Sequence, residues 1–490
     1  MMRRPPLELQ PNFEPLCFRL FVISIIVLTA CVFEGPAHAQ SILHANPSNY
    51  LSLLATLQPG DTLLLEPGIY DANGLPVYDL HGTKEHPITI AGPESGPRPV
   101  ILGHANQNTV RIDDASYVVI KNLEIDCRNL GGDGVNNQGP SHHITLENLY
   151  IHGFSDNQGT VGISTNHAPA WYWTIRRNII TDGGTGMYLG NSPGTEPFMA
   201  GLIEYNLIYD TIGYNTEIKH QNTREDLRDL PELPLAPAKT IIRHNVFSKA
   251  NNASTGSKAR PNLLVGHFPD AGLGKDDIYE IYGNVFYQNP TGEPLFQGEG
   301  NIAFYNNLVI NTVDPDGALA AVLIRPHNGV PKMIRVFHNT IVSRNRGISI
   351  SGGDPAYQQV VVGNAIFSGN PVQAPTAIDN VTDTFDRAPD YLVAPFAPMG
   401  QINLMPKFGQ LLGPPIDTQS FADVFSDWHL DFNGTPHQFV RRGAYAGEGV
   451  NPGWQVALER KTDIPPVIDT IPPAAPSHLQ VVSSLRTDVP

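Results

Sequence analysis

One short phrase recurs through this chain and limits what it can fold into more than any other feature. An apolar residue, two variable residues and Asn are followed by a mostly apolar pair. Clear copies are "IRRNII" from Ile175, "IEYNLI" from Ile203, "IRHNVF" from Ile242, "IYGNVF" from Ile281, "FYNNLV" from Phe304, "VFHNTI" from Val336 and "VVGNAI" from Val361. Looser copies are "VIKNLEI" and "TLENLYI". The asparagines are Asn122, Asn148, Asn178, Asn206, Asn245, Asn284, Asn307, Asn339 and Asn364, separated by 26, 30, 28, 39, 39, 23, 32 and 25 residues. A period of this size built of short segments marks a solenoid, in which each repeat hides its apolar side chains only by stacking on its neighbours.

The segments themselves are strands. Short β-branched runs bounded by Gly, Asn and Asp fill the chain, and no helix-period pattern of any length follows the first forty residues. The recurrent Asn then has a physical task at the corner between two strands. It tolerates a left-handed or bridge conformation, and its side-chain amide can bond the Asn of the coils above and below, satisfying polar groups that would otherwise be buried unpaired. All nine are expected in one structural column.

The stretches "QPGDTLLLEPGIYD" and "GTKEHPITIAG", with the Asn-corner coils, resemble the right-handed parallel β-helix proteins of the pectate-lyase-like superfamily over roughly Leu51 to Gly369. The resemblance implies an all-β fold, a single right-handed parallel β-helix of about ten coils with an N-terminal cap. That superfamily contains lyases, hydrolases, epimerases, esterases and non-catalytic adhesins, so it fixes no activity.

Residues 1–39 read as a signal peptide. An apolar run of 14 residues, Leu20 to Phe33, is followed by Gly35-Pro36 and "AHA", and is too short for the ~20 residues of a membrane span. The expectation is a secreted or periplasmic protein. The alternative is an outer-surface lipoprotein anchored at Cys31, because "LTAC" resembles a lipoprotein processing box. Past the signal only Cys127 remains, so no disulfide framework is expected. Residues 40–370 should form the β-helix, 371–460 an irregular segment capping its open end, and 461–490 a proline-rich linker or disordered tail. A monomer is expected.

The formal charge of -16 argues against nucleic acid as a partner. Against that background, nine basic residues and five acidic ones lie between Lys219 and Lys275, on the two widest coil spacings. Long insertions in a regular solenoid are where function is commonly placed. Strand alternation puts His167, Tyr188, Glu217, Lys219, His267, Gln297, Arg325 and His327 on one outer face. A cation-bearing stripe of that kind suits an extended acidic polysaccharide.

Cleaving a uronate polymer by β-elimination requires neutralising the C6 carboxylate and removing the acidified C5 proton. "TEIK" followed by a basic coil is similar to the chondroitinase B and alginate lyase type of β-helix enzyme, where a strand Lys and an Arg one coil on do the work. This implies catalytic roles for Lys219, Arg260 and His267, with Glu217, His220, Arg224, Tyr188, His167, Arg325 and His327 binding substrate. No cofactor is named by the residues; Ca²⁺ is a candidate carboxylate clamp, but the metal ligands of that enzyme type find no match. A polygalacturonase-type inverting hydrolase and a non-catalytic carbohydrate-binding or adhesion β-helix remain open alternatives.

Overall fold

The apolar positions of the repeated phrase become one ladder. Ile120, Leu146, Ile175, Ile203, Ile242, Ile281, Phe304, Val336 and Val361 pair in register, parallel, coil upon coil. All nine are fully buried. Each such side chain gives about 1.5–3 kcal/mol relative to leaving it in water, and none could be hidden within a single coil.

The computed structural model describes residues 40–154 and 157–463. The signal reading, Cys31 and the tail beyond residue 463 lie outside the described residues. The ladder above belongs to a 13-stranded parallel sheet, running from Ile42–Ala45 to Thr376–Ile378. A second ladder follows the Asn corner, with strands such as Leu207–Tyr209 and Val246–Ser248, and a third includes Thr185–Leu189, Thr216–Ile218, Leu263–Val265, Phe296–Gly298 and Val322–Ile324. The long strands Thr340–Ile350 and Ala365–Gln373 belong to both. A short fourth ladder of four two-residue strands runs along the early coils, Ala115–Ser116 to Phe198–Met199. The protein is thus a parallel β-helix. It starts earlier than Leu51 and continues past residue 370, to Val381–Asp383.

The Asn column is real but shorter than expected at one end. From Asn178 onward each side chain donates to the Asn of the next coil, through Asn206, Asn245, Asn284, Asn307, Asn339 and Asn364 to Asn380, at 2.9–3.0 Å. Each acceptor oxygen also takes the preceding Asn's backbone N–H, as Asn206 does for Asn178 at 2.9 Å. Asn122 and Asn148 stand one position out of register. They are themselves left-handed, with φ of 61° and 52°, whereas in later coils the residue before the Asn takes that conformation, as at Arg177, Tyr205, His244 and His338. The place of the buried Asn is filled there by Leu123 and Leu149, and the Leu149 N–H closes the ladder on Asn178 Oδ1 at 2.8 Å.

Residues after 383 do not simply plug the open end. They run back along the outside of the first sheet and the Asn corner. Ile416, Phe421 and Phe425 pack on Tyr282, Tyr305, Phe337 and Val362. Tyr305 donates to Ser426 O, Asn306 to Leu430 O, and Arg460 to Asn148 Oδ1 at 2.8 Å. Lys461 is buried against the Phe432 ring and bonds Gly283 O and Phe432 O. This strap covers His244 and His338, both buried, and it leaves the outer face of the third sheet open. Cys127 is a buried free thiol, and among the described residues no helix is long and apolar enough to cross a membrane.

Candidate functional site

On the third sheet the inward positions are Met187, Leu189, Ile218, Leu263 and Val265, so the residues between them face out. Tyr188 pairs with Glu217, and Glu217 with Leu264, on adjacent coils. Two residues on, Lys219 lies between Gly190 and Gly266, which leaves its side chain alone in that column. A Cβ added at Gly190 would stand 3.3 Å from Lys219 Cβ, and one at Gly266 would collide with the backbone of His220. The result is a notch in the outer face, floored by Lys219 and Glu217 and walled on one side by Tyr188.

Lys219 Nζ donates to Glu217 Oε1 at 2.8 Å and lies 5.5 Å from the Tyr188 ring centre. Burial pushes the Glu217 carboxyl upward, against the opposing fields of Lys219, Arg260 and His327. Burial also works against the Lys219 charge, but Glu217 and Tyr188 together outweigh it and hold the ammonium above the ordinary lysine value. The hydrogen bond to Glu217 thus fixes the Lys219 ammonium on the outer face and favours its charged form.

Arg260 lies over the Tyr214 ring at 5.7 Å, and its side-chain hydrogen bonds go to the backbone carbonyls of Ser257 and Ala259. No carboxylate pairs it at ion-pair distance among the described residues. His220 and His267 stack face to face on successive coils, 5.2 Å apart and 6° from parallel. His267 Nδ1 is 2.8 Å from Phe268 O, which can only accept, so Nδ1 carries the hydrogen and the neutral ring has its lone pair on Nε2. His220 Nδ1, by contrast, is buried without a partner, and burial next to His267 pulls that imidazole below its ordinary value. Arg325 and His327 are exposed at the rim, three coils along from Lys219, and His167 is exposed two coils back.

Arg224 is not part of the groove. It is buried, pairs with Asp277 at 2.5 and 3.2 Å, and donates to Pro234 O and Ala236 O, so it fastens the arm of residues 220–238 to the coil. The cation excess on the inserted coils is largely spent in the same way. Arg228 pairs with Glu225, Lys239 with Glu280, and Arg243 with Glu204 and Asp427, while Lys275 stands 3.9 Å from Asp276. Lys249 is buried on the carbonyls of Thr211, Ile212 and Gly213, where burial brings it down to about 7. The charge of the stretch is thus dispersed over ion pairs, and among the described residues Arg260, on the groove, and Lys258, on the neighbouring loop, form none.

Two groups escaped the sequence. Tyr214 underlies Arg260, and Glu293, half-buried and pushed upward by burial, sits in the fields of Arg260, Arg325 and Lys249. Both lie just before strands, outside the in/out alternation. The residues do not fit Ca²⁺, which needs six to eight oxygen ligands: Glu217 is taken by Lys219, Glu293 faces cations, and Glu299 is consumed by the backbone N–H groups of His327, Asn328 and Gly329. Trp171 and Trp173 are buried and pack, leaving only Tyr172 partly exposed. A separate cavity of about 600 Å³ opens beside the short fourth ladder, lined by His81, Ser116, Tyr117, His142, Trp171 and Glu232.

No protein-family model matches the chain, and no curated protein matches it. Solved structures with a similar outline include a pectate lyase, Pel9A, at 13% identity and a TM-score of 0.40, covering 87% of this chain and 97% of that one. An alginate lyase from Paenibacillus sp. aligns at 13% identity and a TM-score of 0.38, covering 70% and 95%. The mannuronan C-5 epimerase A-module of Azotobacter vinelandii aligns at 16% and 0.38, covering 66% and 89%. At such identities and scores no residue role transfers from them, and the groove is read from this chain's own side chains.

Proposed function

We propose that this is an exported protein that acts on an acidic, uronate-containing polysaccharide, which lies along the open face of the third sheet and is cleaved by β-elimination. The observation that supports it most is the notch at Lys219, whose ammonium is held by Glu217, a carboxyl that also lies in the field of Arg260, and that guanidinium has no carboxylate at ion-pair distance among the described residues. Lys219 and Arg260 would neutralise the C6 carboxylate of one sugar, which acidifies its C5 proton. His267, one coil on, has its Nε2 lone pair available and its ring clamped by His220, so it is the group suited to take that proton. Tyr188 and Tyr214 carry the two cations on their ring faces and so help to position them. Glu217 holds Lys219 in place and charged.

A second reading rests on Glu217 and Glu293. Burial raises both carboxyls against the opposing field of Arg260, and a carboxyl raised by burial is what a general acid in glycoside hydrolysis needs.

Incubating the purified protein with alginate, pectate and chondroitin separates the two. A rise in ultraviolet absorbance from the unsaturated uronate product supports elimination, whereas new reducing ends without that absorbance select hydrolysis. Neither signal on any of the three polymers would leave only a non-catalytic binding role.

A further inference from the structure

The arm of residues 220–238 does something the groove does not require. It leaves the coil after Lys219, is anchored by Arg224 on Asp277, and travels back about three coils to lie on the short fourth ladder. There Leu233 is buried with Trp171 and Met199, and Trp171 Nε1 donates to Pro231 O at 3.2 Å. Between those two anchors, Glu232 is delivered to a pair of histidines that belong to a distant part of the chain.

The histidines are consecutive, and consecutive strand residues normally point to opposite faces. His142 pairs in register with Ser116 on one side and Trp171 on the other. His143 is the corner residue, left-handed at φ 53°, like Tyr117 and Tyr172 at the same place in the adjoining coils. The turn swings its ring beside that of His142, so that the two Nδ1 atoms are 2.8 Å apart. Both rings are clamped by aromatic neighbours. His143 is stacked between Tyr117, at 4.3 Å, and Tyr172, at 4.8 Å, while His142 stacks on Trp171 at 5.0 Å. Tyr117 also donates to Glu232 Oε2 at 2.6 Å, fixing the carboxylate from outside.

We infer that His142, His143 and Glu232 form a binding site for a divalent transition-metal cation of the Zn²⁺ type, with one coordination position left open to the adjoining cavity. One ligand atom from each residue lies within 4.8 Å of the others. Tetrahedral zinc with bonds of about 2.1 Å holds its ligands roughly 3.4 Å apart, a spacing these side chains reach by small rotations. Two imidazoles and a carboxylate are a donor set for zinc and its neighbours in the transition series and a poor one for Ca²⁺ or Mg²⁺. Three protein ligands beside a cavity of about 600 Å³ are the pattern of a site that keeps a water or a ligand group in the fourth position. Tyr117 is the positioning residue, holding a liganding carboxylate by its other face. This site is independent of the sugar groove, and neither reading needs the other.

The test is calorimetric titration of the full chain, carrying no histidine tag and treated with a chelator, with Zn²⁺, followed by the visible spectrum of the Co²⁺ form. One equivalent of Zn²⁺ should bind, and Co²⁺ should give the intense absorption of a four-coordinate site. Glu232 is exposed, so Glu232→Gln should fold normally by circular dichroism and bind Zn²⁺ at least tenfold more weakly, with His143→Gln weaker still. Tyr117→Phe should cost about tenfold through the lost hydrogen bond to the carboxylate. The inference is overturned if substoichiometric Zn²⁺ binds to the wild type. It is equally overturned if Glu232→Gln and His143→Gln bind as tightly as the wild type does, or if Ca²⁺ displaces Zn²⁺ at equal concentration.

Discussion

Lys219 Nζ and Glu217 Oε1 are 2.8 Å apart, the glutamate on the strand Thr216–Ile218 and the lysine just past its end, with the lysine side chain 16% exposed and the glutamate 5%. The pair is sheltered enough that neither member can be removed without consequence for the other. Replacing Lys219 by Met should destabilise the protein by about 3 kcal/mol at neutral pH, because Glu217 is left as a buried, unpaired carboxylate.

The pH dependence of that variant follows from the same pair. Without Lys219, the folded-state Glu217 carboxyl rises further above its ordinary value of 4.5, since burial already raises it. A group raised in the folded state stabilises fully below its unfolded value and loses that contribution as pH rises through the folded one. The gap in stability between wild type and Lys219→Met, measured by urea unfolding, should therefore be small near pH 4 and widen toward pH 8. A gap independent of pH would mean that Glu217 does not feel the lysine.

Arg224 and Asp277 form the buried pair that fastens the arm, so Arg224→Ala should cost about 3–5 kcal/mol in unfolding free energy. In the fraction that remains folded at low temperature, affinity for uronate oligomers should be unchanged, because the guanidinium never reaches the groove.

Arg260 should behave in the opposite way. Its guanidinium is partly exposed and bonds only main-chain oxygens, so Arg260→Ala should leave the melting temperature within a degree or two while weakening uronate oligomer binding about tenfold. Wild-type affinity should fall as salt rises, and the variant's should fall less steeply. Equal salt slopes would exclude Arg260 from substrate contact.

Within the Asn column, Asn245→Ala removes donors to Ile203 O and Asn284 Oδ1 and strands the backbone N–H of Asn206, all fully buried. A loss of roughly 3 kcal/mol in urea unfolding is expected. Asn148→Ala, at a position outside the column and partly exposed, should cost about 1 kcal/mol or less.

The repeat itself determined the solenoid. A phrase of apolar residue, two variable residues and Asn can satisfy its buried amide and hide its apolar side chain only if coils stack in register, and that requirement is local enough to be read one coil at a time. The outward placement of Lys219 followed from the inward placement of Ile218 by the same alternation, as did Tyr188 and Glu217, whereas His267 has the parity of the inward Val265 and lies beyond the end of its strand. What the alternation could not supply was charge partnership, because a cation's partner is chosen by stacking and by loop paths rather than by spacing. Arg224 reads as a groove residue until Asp277 is brought against it, and Lys219 reads as an unpartnered cation until Glu217 is placed 2.8 Å from it. The left-handed corners likewise moved Asn122 and Asn148 out of the column, a shift of one residue that leaves the pattern of letters nearly unchanged. His142, His143 and Glu232 meet only because an inserted arm runs back across earlier coils, so their proximity is a property of the packed molecule alone.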